Sequence, residues 1–425
     1  MKRTRLVTAA CALLVSGTAF SAYAVTPQPV STHFDLRFPT PQVSIFGDGT
    51  GRQVWSMQPV GDTMYVAGKF SHVRERATRT DFDRASVYAF EMSGTSRGRL
   101  TRFAPVVKSG AKEGTVHKII TSLDGRSLIL AGSFTSVNGV AASNLAKVSL
   151  TTGAVEPFAR ANGQVVDVEK AHGLYFLSGS FTTINGTAQI GIATVTPTGG
   201  FSTYFRSRLA GQISSTAGST KAYRLAIKPD ESAMVAIVNT ATIDGFARKH
   251  LAKWTLGTTS ATLQNWAPPK TRDTACSQFM AVRDVTYDTD GLSFFSVASG
   301  GGRYNGVCDQ QIKWLDSARG TSVTPVWSNR SCADTFHGAL VYRGVLYASG
   351  HQRCVEQTPG GTQDYVDRLG ISAIRADNGN ALPWRSDQPR CEGGKVLVVG
   401  GGFMWAGTDC GDANGQGVYA RSTTP

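Results

Sequence analysis

Four short apolar segments joined by hairpin turns recur, in the same internal order, seven times along this chain of 425 residues. Within the segments apolar residues alternate with period two, which fits strands and excludes a helical solenoid. One phrase is nearly duplicated: Ala131 to Gly139 reads AGSFTSVNG and Ser178 to Gly186 reads SGSFTTING, matching at six positions 47 residues apart. These three observations predict an all-β fold, a seven-bladed β-propeller of four-stranded antiparallel blades, because each such unit buries its faces only against a neighbouring copy.

The first 24 residues stand outside that pattern. Lys2, Arg3 and Arg5 precede an apolar run from Leu6 to Phe20, and Ala22-Tyr23-Ala24 is a small-x-small cleavage site. This is the layout of a secretory signal peptide, and it is too short to span a bilayer. No later stretch has about 18 consecutive apolar residues, so no transmembrane segment is expected. The expectation is an exported protein, secreted or associated with the cell wall, with residues 25–425 as a single propeller domain.

Composition agrees. Of seven cysteines, Cys11 leaves with the signal peptide, and the six that remain suit a disulfide framework in an oxidising compartment. The formal charge of +13 becomes +10 once the three signal-peptide cations go. With 47 glycines and only 17% charged residues, the chain is turn-rich yet able to build a large core.

The second copy displays the repeat most fully. Strand A is VHKIITS, strand B RSLILAGSF, strand C LAKVSL, and strand D lies around AVEPFAR. Asp124-Gly125 and Thr152-Gly153 supply the glycines that tight hairpins favour. The strand-B glycine or its equivalent is read at Gly68, Gly132, Gly179, Val238, Ser299, Gly350 and Gly401, a mean period of about 55 residues. Strand C is read at 87–92, 145–150, 190–195, 251–256, 312–316, 371–375 and 418–421. The D strands fall around Phe103, Phe158, Phe205, Trp266, Trp327 and Trp384. The seventh copy ends without one, and His33 to Pro39, HFDLRFP, has its form. The N-terminal strand is therefore expected to complete the last blade, hiding an edge that would invite aggregation.

The stretch Leu128 to Arg160 resembles the delta-sixty repeat, a β-propeller motif of secreted bacterial proteins with the form G-x-F-x-x-x-x-G followed by a leucine-alanine strand, T-G and an aromatic. The likeness runs through Leu128 to Arg206 and extends less closely over Val66 to Pro105 and Ile237 to Pro268. It implies fold and export but no shared catalytic residues. Signatures of other propellers, the sialidase box S-x-D-x-G-x-x-W, paired Gly-His and Trp-Asp, and adjacent cysteines, are absent from the sequence.

Function is expected on the face formed by the D-to-A and B-to-C loops, which are long and variable while the opposite turns are short. Cys276 and Cys308 occupy those two loops of blade five, Cys332 and Cys354 those of blade six, Cys391 and Cys410 those of blade seven. Of fifteen possible pairings, one geometry repeated three times selects Cys276–Cys308, Cys332–Cys354 and Cys391–Cys410; a zinc site is the rival reading. Arginines gather on the same face. Arg206, Arg330, Arg353, Arg385 and Arg390 are candidate ligand-binding residues, since convergent guanidinium groups grip carboxylate or phosphate.

Catalytic candidates are His117, Asp284, His337 and His351, with Asp167, Arg224 and Glu392 also near the starts of innermost strands. Two histidines among carboxylates would serve proton transfer; hydrogen bonding around a wet channel is the structural reading. Calcium could be suggested at Asp288-x-Asp290-Gly291 or in Asp409 to Gly417, yet the first lacks a closing Glu and sits at a hairpin. No cofactor is expected. The sequence thus predicts a monomeric extracellular binding module for an anionic glycan, wall polymer or protein, with no nucleic-acid partner. A hydrolase or lyase at the channel mouth is the alternative.

Overall fold

The computed structural model describes residues 26–32, 40–44, 53–213, 222–268, 281–299, 309–332, 334–361, 364–386, 394–409 and 417–424. Among them every regular element is a β-strand. No helix there is long and apolar enough to cross a membrane.

Strands A to D form antiparallel meanders in chain order. The first is Gln53–Val60, Thr63–Lys69 and Val87–Glu91; the second is Thr115–Thr121, Ser127–Ser133, Leu145–Ser149 and Val155–Glu156. The third, fourth and fifth open with Val165–Ala171, Ala222–Ile227 and Ala281–Tyr287 and have four strands each. The sixth and seventh open with Phe336–Tyr342 and Gly394–Gly400 and have three. Each A strand lies beside the next along the chain, and Gly394–Gly400 lies beside Gln53–Val60.

The core is divided into slabs, one between each pair of neighbouring sheets. Tyr65, Val87, Val116 and Leu128 pack between the first and second, and Ile129, Leu145, Val165 and Tyr175 between the second and third. Val54, Tyr88, Phe90, Trp405 and Val418 join the seventh to the first. This is why the strands read as nearly continuous apolar runs: both faces of each sheet are buried. In Ala233–Val238 and Ser293–Ser299 every residue is buried.

The expected C strands are present, shifted by a residue or two at some ends, as in Ile192–Val195 and Gln310–Leu315. The D strands differ. Pairing ends before the aromatic in the second, third and fourth sheets, at Val155–Glu156, Phe201–Ser202 and Ala261–Leu263, and Trp327 alone of the six lies inside its strand. Phe205, Trp266 and Trp384 are instead buried in the slabs, where a large ring removes more apolar surface than an outer strand could.

All seven A strands contain a β-bulge at the same place. The ladder to strand B skips Trp55, His117, Val166, Tyr223, Arg283, His337 and Lys395. The bulge explains the glycine of the repeated phrase. A Cβ on Gly68, Gly132, Gly179 or Gly350 would lie 1.9, 2.0, 2.0 or 2.1 Å from the carbonyl oxygen of Gln53, Thr115, Gln164 or Thr335. The register also corrects two positions of the sequence alignment. Ala298, not Ser299, faces the residue before the bulge in the fifth sheet, and Thr408 does so in the seventh. Gly401 is a turn residue at φ 58°, mistaken for the strand glycine because three glycines run together at 400–402.

His33 to Pro39 lies outside the described residues. Just before it, Val30 is buried between the sixth and seventh sheets. Its amide donates to the Tyr347 hydroxyl at 2.8 Å and its carbonyl accepts from Trp384 Nε1 at 2.8 Å. Ser31 N donates to Ser422 O of the last strand at 3.0 Å.

Candidate functional site

At the end where the A strands begin, the D-to-A and B-to-C loops pair into small accessory sheets. Val107–Ser109 pairs with Ser136–Val137, and Leu209–Ala210 with Thr242–Ile243. Isolated bridges Ala161–Ile184 and Ser331–Val355 make the same join. The second half of the repeated phrase builds this contact. Asn138, Asn185 and Asp244 hold φ near 50° ahead of a glycine at φ near 80°, and their side-chain oxygens accept from the amides of Val106, Arg160 and Arg208 at 2.7, 2.8 and 2.7 Å. Asparagine and aspartate tolerate that conformation and cap the incoming loop. Beside the Ser331–Val355 bridge, Cys332 and Cys354 form the expected disulfide, Cα atoms 5.5 Å apart. Cys276, Cys308, Cys391 and Cys410 lie outside the described residues, as does Arg390.

Inside this rim the seven bulge residues line a cavity of about 520 Å³, joined by Gln53, Arg224, Asn239 and His250 among others. Among the described residues that line it, none is an aspartate or glutamate. His117 stacks on Trp55 and shares a hydrogen bond with Gln164. Burial and the nearby Arg224 charge lower its pKa to about 4. Burial, with Lys395 and His351 adding charge repulsion, lowers that of His337 to about 3. Both imidazoles are neutral at pH 7. The Arg283 Nε donates to Ser299 Oγ at 2.7 Å, and among the described residues Arg283 forms no ion pair.

One residue further along the A strands the lining becomes mixed in charge. A second cavity of about 280 Å³ is lined by Lys118, Asp167, Glu169, Arg224 and Asp284. Lys118 lies 3.0 Å from Asp167 and 2.6 Å from Glu169, while Arg224 lies 3.9 Å from both Asp167 and Asp284. Burial raises the pKa values of Glu169 and Asp284. These groups also stitch the sheets together. Asp167 Oδ2 accepts from Leu225 N at 2.8 Å, Asp284 Oδ2 from Ala339 N at 2.9 Å, and Ser56 Oγ from Ile119 N at 3.0 Å. In each case the residue after the bulge holds the backbone of the next sheet.

The sequence candidates therefore separate into layers. His117 and His337 belong to the mouth, Asp167 and Asp284 to the channel below, and Arg224 to both; Glu392 lies outside the described residues. His351 stands at the rim, its ring centroid 5.1 Å from that of His337. Its Nε2 is 3.2 Å from Asp409, whose carboxylate also meets Lys395 at 3.1 Å. The hydrogen bond that its ring donates to the Asp409 carboxylate raises the His351 pKa despite partial burial. Among the described residues no cluster of three metal-ligating side chains occurs. Asp288 and Asp290 cap a tight turn, with Gly291 N donating to Asp288 O and Leu292 N to Asp290 Oδ1.

The arginines spread along the rim. Arg330 is committed to the fully buried Glu356 at 2.7 Å, and the exposed Arg206 donates from Nε to Thr203 O. Arg353 and Arg385 are exposed on neighbouring loops. Arg368 links them: its amide donates to Arg353 O, and burial, then the Arg385 charge, lowers its pKa. Sequence reasoning missed Trp55, Tyr223, Arg283 and Lys395. They occupy the same bulge position as His117 and His337, so aligning the seven A strands residue by residue would have found them.

No protein-family model matches the chain, and no curated protein matches it. Solved structures do. The WD40 β-propeller domain of Doa1 is similar with a TM-score of 0.50 at 10% identity, over 90% of this chain and 97% of that one. The computationally designed protein Ika8 follows at 0.47 and 8% identity, over 90% and 99%, and the β-propeller domain of Cps50 (Swd1) from Myceliophteria thermophila at 0.43 and 10%, over 71% and 81%. The likeness to the Doa1 domain establishes the fold alone, and that fold is the β-propeller.

Proposed function

We propose that the protein is a secreted, seven-bladed β-propeller of the delta-sixty type, closed by its N-terminal segment, that binds an anionic ligand at the mouth of its axial channel. The observation that carries this reading is Arg283, a guanidinium without a carboxylate partner among the described residues, in a cavity whose described lining includes Arg224, Lys395, His117, His250 and His337 and no acidic side chain. A cation without a paired carboxylate in a concave site favours an incoming anion.

The cyclic neighbourhood of the seven A strands and the slab between the last sheet and the first support closure, as do the bonds of Val30 and Ser31. The leader-like residues 1–24 and the Cys332–Cys354 bridge support export. Binding is favoured over glycoside hydrolysis because that chemistry needs two carboxyl groups flanking the bond, whereas Asp167 and Asp284 lie below the mouth, accepting backbone amides.

The test is binding of mature protein to immobilised acidic wall polymers and glycans across a salt series. Affinity should fall steeply as screening shortens toward about 8 Å at physiological ionic strength. Arg283→Glu should abolish binding, and the pair Arg353→Glu with Arg385→Glu should weaken it. Arg126→Glu and Arg319→Glu, on the short turns opposite, should do little; equal losses from both faces would reduce the protein to a diffuse polycation.

A further inference from the structure

The ring of bulge residues is divided into two halves. Following neighbouring A strands around the channel, Trp55, His117, Val166 and Tyr223 come first, then Arg283, His337 and Lys395. Among the bulge residues one arc is aromatic and apolar and the other carries Arg283 and Lys395 with the His337 imidazole between them; Arg224, next to Tyr223 in sequence, adds a further cation that is engaged with Asp167 and Asp284. The two chemistries face each other across a single cavity.

Each arc constrains the ligand. On the cationic arc, Arg283 already uses Nε on Ser299, and among the described residues its two terminal nitrogens remain for an end-on pair of bonds to two oxygens. Lys395 is shared with Asp409, making Arg283 the stronger anchor. On the other arc, the His117 imidazole lies parallel to the indole of Trp55 at 4.5 Å and 8°, and Tyr223 is 36% exposed. Such rings cover the apolar C–H face of a sugar and reward it with dispersion contacts and area removed from water. Depth is limited as well. Below Arg224 the carboxylates of Asp167, Glu169 and Asp284 are already matched by Lys118 and Arg224, so the unmatched Arg283 at the mouth is where an anion is held. The volume of about 520 Å³ suits a small ligand or chain end rather than a folded protein.

We infer that the cavity is a subsite for a uronic-acid residue of a polysaccharide, its carboxylate on Arg283 and its pyranose ring against Trp55 and Tyr223. This rests on the anion-binding reading above and narrows it. A bare phosphate has no apolar face and would leave the aromatic arc uncovered. A neutral sugar would desolvate Arg283 without a counter-charge.

Mature full-length protein is titrated with trigalacturonate, with its carboxyl-reduced counterpart, with poly(glycerol phosphate) and with a nucleoside monophosphate, followed by calorimetry and tryptophan fluorescence. Trigalacturonate should bind and perturb the fluorescence, and reduction of its carboxyls should cost at least about tenfold in affinity. Arg283→Met and Trp55→Ala should each cost a similar factor, with Arg283→Lys intermediate. Melting curves identify any variant that fails to fold, in which case the carboxyl-reduced ligand on the unaltered protein decides. Binding of poly(glycerol phosphate) or the nucleotide without trigalacturonate overturns the uronate assignment and leaves the anion site standing. Binding of none of the three anions overturns both. Trigalacturonate binding that is indifferent to both variants and to carboxyl reduction overturns the placement of the sugar.

Discussion

The imidazole of His117 lies flat on the indole of Trp55, ring centroids 4.5 Å apart and planes within 8°. Two successive A strands thus meet through their bulge residues, and burial there, with the Arg224 charge nearby, holds the histidine neutral. Its folded pKa of about 4 lies below the ordinary value of 6.5. As pH falls below 6.5 the unfolded chain gains a proton that the folded chain refuses, so stability drops until pH reaches about 4 and then levels. His117→Asn should lose less stability over that window than the parent, by on the order of 3 kcal/mol. Urea melts at pH 7 and pH 4 give the difference; identical losses would place His117 in solvent.

His351 acts in the opposite sense. Its pKa is raised, chiefly by the hydrogen bond it donates to Asp409. The stabilisation is full below the unfolded pKa near 6.5 and disappears as pH rises through the folded value. His351→Gln should therefore cost more at pH 5 than at pH 8. An NMR titration placing the imidazole below its ordinary pKa would contradict this.

The strand-B glycine and the turn glycine of the repeated phrase should behave differently on substitution. Gly132→Ala drives a Cβ to within 2.0 Å of the Thr115 carbonyl and should cost more than about 3 kcal/mol, in the range of overpacked sites. Gly139→Ala, at φ 77° with nothing within 4 Å, should cost about 1 kcal/mol from backbone strain. Chemical denaturation of the two variants orders them.

Opening the Cys332–Cys354 bridge, 22 residues apart in sequence, should cost about 3 kcal/mol on the chain-entropy model. Non-reducing peptide mapping should find that pair together with Cys276–Cys308 and Cys391–Cys410. A bridge between Cys308 and Cys332 would refute the pairing within each repeat.

Deleting Val25 to Thr40 removes the Val30 bonds to Tyr347 and Trp384 and the Ser31 bond to Ser422. It should lower the melting temperature of the whole domain. A truncated protein with an unchanged cooperative transition would separate the N-terminal segment from closure.

The sheets were legible because their determinants are local. Alternation, turn glycines and the Asn-Gly and Asp-Gly pairs recur wherever the chain reverses, and the C strands landed within two residues of their observed ends. The D strands were less legible because Phe205 and Trp266 are selected by burial between sheets, not by pairing. The site was half visible. His117 and His337 stood out as rare residue types, whereas Trp55, Tyr223, Arg283 and Lys395 read as ordinary strand residues. The bulge, marked in the sequence only indirectly by the strand-B glycine that faces it, assigns them to one ring, and only a residue-by-residue alignment of the A strands would have shown it.

That irregularity separates two kinds of heredity within one strand. The residues on either side of a bulge, such as Val54 and Ser56 or Ala222 and Arg224, keep the ladder and bind the neighbouring sheet. The bulge residue itself lies outside the ladder and outside every buried slab. Tryptophan, histidine, valine, tyrosine, arginine and lysine all occupy it on one scaffold. The mouth therefore behaves as a seven-character field that can be rewritten without retyping the protein, and laboratory diversification confined to those positions should yield folded variants with new ligands.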